Sequence, residues 1–124
     1  MQVPSVTLRL PASTTAPRAA RRGVIDGLAL EGELAHSTAL LVSEAVTNSV
    51  LHASLQADDL VHVAASRAER VVRVEVCDEG SGMHRPSPAG PRDGGHGLNI
   101  IDRLAERWGL HSDGRTRLWF ELAE

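Results

Sequence analysis

At 124 residues the chain has the size of one compact domain, with 42% hydrophobic but only 2% aromatic residues, so Leu, Val, Ile and Ala must build its core. A net charge of −3 gives no general pull toward nucleic acid or anionic lipid. The lone Cys77 excludes an internal disulfide and fits a reducing cytoplasm, and no charged segment followed by an apolar one opens the chain as a leader would.

Val6, Leu8 and Leu10 alternate with Thr7 and Arg9, the pattern of a strand with one buried face, and Pro11 stops it. Ser13 or Thr14 can then cap a helix with Pro17 in its first turn, running through Val24, Ile25 and Leu28 and weakened toward its end by Gly23 and Gly27. Leu34 to Ala53 holds no Gly or Pro and predicts a long central helix. Its apolar stretch from Ala39 is interrupted by Ser43, Glu44, Thr47, Asn48 and His52 and is too short to span a bilayer, so no membrane association is expected. After a polar break at Gln56 to Asp59, Leu60–Arg67 and Val71–Asp78 both alternate around Ala68-Glu69-Arg70, which reads as a β-hairpin.

Glu79 to Gly97 concentrates six of the eleven glycines and three of the six prolines, and so reads as a long loop. Leu98, Ile101, Leu104, Ala105 and Trp108 recur at helical spacing and Gly109 ends that run; His111 to Gly114 reads as a turn and Thr116 to Leu122 as a last strand. Strand, helix, helix, hairpin, loop, helix and strand argue for an α+β fold of one domain, 1–124, with helices layered on a largely antiparallel sheet.

Three places can carry chemistry. Glu44, Asn48 and His52 are successive i, i+4 neighbours on the central helix and form one polar stripe among apolar residues. That stripe either faces a cavity or is an ordinary solvated face. Asp78 closes an apolar strand and is followed by Gly80 and Gly82. A carboxylate there can accept hydrogen bonds from an amino-bearing ring while the glycines allow close approach, although Asp and Gly also suit a plain turn. Gly94-Gly95-His96-Gly97-Leu98 opens a helix, whose free N–H groups and positive dipole end attract anions; the alternative is a flexible glycine-rich helix start.

Taken together and in this order, Glu44-x3-Asn48, Asp78-x-Gly80-x-Gly82, Gly95-x-Gly97-Leu98 and Gly114-x-Thr116 resemble the N, G1 and G2 boxes and terminal Thr of the GHKL (Bergerat-fold) ATPases. Leu41 to Ala53 and Gly114 to Leu122 look most like the RsbW-like anti-sigma factor serine/threonine-protein kinases, and a last helix ending in Trp108-Gly109 fits them too. The resemblance implies a two-layer α/β sandwich with helices on one face of a mixed, largely antiparallel sheet. It implies ATP and Mg²⁺ as cofactors, with Glu44 as general base, Asn48 as the Mg²⁺ ligand and Asp78 on the adenine amino group. Gly80, Gly82, Gly95, Gly97 and Leu98 would shape the pocket and lid, Thr116 would support the adenine through water, and His52 would lie near the phosphates.

Many relatives carry Arg between the two lid glycines, where this chain has His96, neutral for much of the time at pH 7. Arg92 or Arg85 would then have to supply charge to the γ-phosphate. The resemblance further implies a cytoplasmic regulator that phosphorylates a serine on an anti-anti-sigma (STAS-type) partner and sequesters a sigma factor, with a homodimer expected by analogy. An ATP-binding switch with little or no transfer is the alternative that His96 raises. A sensor histidine kinase fits less well, since no phospho-acceptor hairpin precedes the domain. Arg18, Arg21 and Arg22 make a basic helix face, either solvated or a docking surface for an acidic protein.

Overall fold

The computed structural model of the chain describes residues 3–52, 59–78, 96–112 and 115–124. Its elements are β1 (Ser5–Pro11), α1 (Ala16–Gly27), α2 (Gly32–His52), β2 (Leu60–Ala68), β3 (Val71–Asp78), α3 (His96–Leu104), β4 (Arg107–Ser112) and β5 (Thr116–Ala123). The strands form one sheet in the order β1-β2-β3-β5-β4, and each neighbouring pair is antiparallel. The α+β expectation therefore holds, with an antiparallel rather than a mixed sheet among the described strands.

The alternation seen in the sequence decides which face is buried. Leu8 pairs with Val63, Val63 with Val76, and Val76 with Leu118, so one apolar row crosses four strands on the same face. The helices cover that face, and Leu41, Val42, Ala45, Val46, Ile101 and Phe120 close the core with little or no exposure. Gly23 and Gly27 let α1 lie directly on β1: a Cβ on Gly23 would stand 2.7 Å from Leu8 Cδ1, and one on Gly27 2.9 Å from Val6 Cβ. What weakens the helix in propensity here permits its packing.

Four local expectations are corrected. Thr15, not Ser13 or Thr14, is the N-cap of α1, and its side chain makes no cap bond. Instead Ser13 Oγ accepts from the Thr15 N–H at 3.3 Å, a turn that satisfies the backbone before the helix begins. The last helix stops at Leu104, and Trp108 and Gly109 lie on β4, facing Phe120 and Trp119 of β5. His111 and Ser112 likewise continue β4 instead of forming a turn. Trp108 sits four residues after Leu104 and so mimics helical spacing, but its ring packs inward from a strand and its Nε1 donates to Asp102 Oδ1 at 2.8 Å. Gly109 is needed there because the Trp119 indole occupies the space of a side chain: a Cβ would lie 2.5 Å from its Nε1. Finally, α2 is buried around less of its circumference than its apolar content suggests, since Leu40 and Leu51 are exposed.

Candidate functional site

Strand ends far apart in the chain meet at one end of the sheet. Asp78 ends β3 opposite Val61, near the start of β2, and only a short connection joins that start to the C-terminal end of α2. Cys77 pairs with Arg117, which places Thr116, the first residue of β5, at the same end. β4 begins at Arg107 opposite Glu121, at the far end, and α3 leads into it there, with Leu98 and Ile101 packed on the core. Carboxylate and strand start are brought together by antiparallel topology, not by proximity in sequence.

On α2 the buried positions Thr38, Leu41, Val42, Ala45, Val46 and Ser49 mark the side turned to the sheet. Ser43 flanks that side next to α1, where its Oγ accepts from Arg21 Nη1 at 3.2 Å. At 100° per residue Glu44 and Asn48 fall on the opposite flank, away from α1 and toward α3, and both are half-buried. The polar stripe thus borders the core and is not a fully solvated face. His52 is the last residue of α2, one turn beyond Asn48.

Asp78 is 3% exposed, on the same sheet face as Val76 and the core. A buried carboxylate must be met by donors to be tolerated. Thr116 is half-buried on the inward face it shares with Leu118, opposite Ser112. Leu98 packs against the core from the first turns of α3, and His96 and Gly97 begin that helix. Gly80, Gly82, Arg85, Arg92 and Gly95 lie outside the described residues. Sequence reasoning passed over Ser49, a buried hydroxyl residue on the sheet-facing side of α2 directly after Asn48. Its place four residues after Ala45, inside an apolar face, was the signal that could have found it.

The chemistry of this set suits a magnesium nucleotide. Asp78 offers acceptor oxygens of the kind an exocyclic amine needs, and Asn48 and Glu44 offer hard oxygen donors at one helical spacing. The start of α3 offers backbone N–H groups for phosphate oxygens.

A family model described as the histidine kinase-like ATPase domain matches residues 9–122. The chain belongs to this family. The family name places the chain among nucleotide-binding ATPase domains and upholds the GHKL resemblance drawn from the motifs. No curated protein matches the chain. Among solved structures, the crystal structure of the RsbU and RsbW domains of Rv1364c from Mycobacterium tuberculosis matches with a TM-score of 0.74 at 22% identity, covering 97% of this chain and 32% of that one. The histidine kinase-like ATPase fold seen here is therefore RsbW-like, and the chain spans about a third of the length of that structure. Among the described residues of this ATPase domain no helix is long and apolar enough to cross a membrane.

Proposed function

We propose that residues 1–124 act as one ATP-binding domain that transfers the γ-phosphate to a serine of a partner protein. The observation that carries this reading is a buried carboxylate, Asp78, at the end of β3 beside Thr116, with Glu44 and Asn48 half-buried on one flank of α2. Asp78 accepts from the adenine amino group, with Thr116 supporting the ring through water, and Gly80, Gly82 and Gly95 allow the close approach of nucleotide to backbone. Asn48 would hold Mg²⁺, which would supply positive charge to offset that of the phosphates. Gly97, Leu98 and the α3 N–H groups receive phosphate oxygens, with His52, His96 and Arg92 beside them.

In the transfer, the serine hydroxyl oxygen forms a bond to Pγ as the bond from Pγ to the bridging oxygen breaks. ADP leaves with that bond's electrons, and the hydroxyl proton passes to the Glu44 carboxylate. By resemblance the serine belongs to an anti-anti-sigma (STAS-type) protein, the alternate partner is a sigma factor, the working form is a homodimer and the compartment is the cytoplasm.

Calorimetric titration with Mg-ATP and Mg-ADP tests the site. Asp78→Asn is expected to abolish binding and Asn48→Ala to weaken its Mg²⁺-dependent part; unaltered binding in both overturns the assignment. Transfer of label from γ-labelled ATP to the cell's own anti-anti-sigma proteins tests the activity, and Glu44→Gln should lower it by about 10²–10⁴-fold while leaving nucleotide affinity intact. His96, standing where many relatives have Arg, favours a second reading in which the domain binds ATP and presents a nucleotide-ordered surface with little transfer. Under that reading Glu44→Gln leaves partner binding and signalling unchanged.

A further inference from the structure

The helices cover one face of the sheet and, among the described residues, leave the other open. On that open face the strand register aligns one residue from every strand into a single row: Arg9 opposite His62, His62 opposite Cys77, Cys77 opposite Arg117, and Arg117 opposite His111. At the usual strand spacing this row runs about 19 Å across the sheet. Arg9, Arg117 and His111 are exposed and His62 and Cys77 half-buried. The row holds no carboxylate. On the same face Glu75 lies in the next row, and Glu121 is already engaged by Arg73 at 2.9 Å and Arg107 at 3.0 Å.

We propose that this row docks an acidic, extended segment of a partner protein. The inference does not depend on the nucleotide reading. Charge complementarity carries it: the chain as a whole is at −3, yet among the described residues of this face Arg9, Arg73, Arg107 and Arg117 stand against two glutamates, the opposite sign to the molecule. A local cationic stripe on an acidic chain selects a short run of Asp and Glu. A nucleic acid would meet the repulsion of the whole molecule, and a second copy would set arginine against arginine.

The neighbouring row adds apolar contact. Ala64 is exposed at the floor of a shallow hollow of about 210 Å³ bordered by Thr7, Ser66, Arg73 and Glu75. Trp119 stands beside it with the Arg73 guanidinium 4.4 Å from its ring centre. Arg and Trp are the residue types that most often anchor interfaces. The chemistry fits a segment of acidic residues with an apolar side chain among them.

The test uses the full chain and a labelled peptide of about eight residues alternating Glu and Val, followed by fluorescence anisotropy at two salt concentrations. Wild-type protein should bind it, more weakly at the higher salt, and Arg9→Gln/Arg117→Gln should weaken binding about tenfold while Arg18→Gln/Arg22→Gln on α1 does not. Independently of any variant, saturating peptide should slow alkylation of Cys77, the chain's only cysteine, which sits in the middle of the row. An unchanged alkylation rate, or equal binding by Arg9→Gln/Arg117→Gln, overturns the proposal. So does a single-stranded oligonucleotide of equal charge that binds as tightly with the same dependence on Arg9 and Arg117. A chain that sediments as a dimer and protects Cys77 without peptide assigns the face to a second copy and overturns it as well.

Discussion

Thr38 shows how a single atom can hold back stability. It is fully buried on α2, and its Oγ1 has no hydrogen-bond partner among the described residues. A buried hydroxyl in that state costs about 1–3 kcal/mol, while Val has nearly the same shape and a similar helix propensity. Thr38→Val is therefore expected to raise unfolding free energy by about 1 kcal/mol in urea titration; a loss would show that the hydroxyl is satisfied in solution. Glu121 presents the opposite case. Burial pushes its carboxyl up, but the hydrogen bonds and charges of Arg73 and Arg107 outweigh this and hold it below the ordinary glutamate value. A carboxyl lowered on folding adds stability above its unfolded range and loses it as pH falls through the lowered value. Because both arginines are substantially exposed, Glu121→Gln should cost only about 0.5–1 kcal/mol at neutral pH. Wild type and variant should converge in acid, and a gap independent of pH would remove the charge explanation.

Among the elements, α1 and β4 carry the lessons of packing. At Gly23 an added methyl group meets the far end of Leu8, which can rotate, and an interior helical glycine replaced by Ala gains about 1 kcal/mol of propensity. At Gly27 the obstacle is Val6 Cβ, fixed to the β1 backbone, and the gain is smaller at the helix end. Gly23→Ala should be near neutral and Gly27→Ala destabilising by roughly 1–2 kcal/mol in thermal denaturation; the reverse order would mean that β1 yields more easily than Leu8. β4 explains the one element that sequence periodicity missed. Six residues containing a glycine give little strand signal, and Leu104 to Trp108 continues a helical spacing by coincidence. Only pairing with β5 reveals why Gly109 is there.

At the scale of the whole molecule, ligand binding and stability should be linked. Nucleotide that binds only the folded chain stabilises it by about 2.7 kcal/mol at a hundredfold excess over Kd. For a domain of 124 residues that corresponds to a rise in Tm of roughly 5–10 °C with Mg-ATP. Asp78→Asn should show no such rise, and an equal rise in both would separate nucleotide binding from this end of the sheet.

Much of this protein was legible in the chain itself. Period-2 alternation specified β1, β2, β3 and β5 because one face of an antiparallel sheet must be apolar, and an unbroken run of helix formers specified α2. The order of Glu44-Asn48, Asp78 and Thr116 was equally visible, since local motifs survive in sequence. Tertiary structure alone decided that Asp78 and Thr116 meet at one end of the sheet, that Ser49 is buried beside Asn48, and that Arg9, His62, Cys77, Arg117 and His111 share a row. Each of those facts depends on strand order and register between residues far apart in the chain, and no local pattern encodes which strand lies next to which.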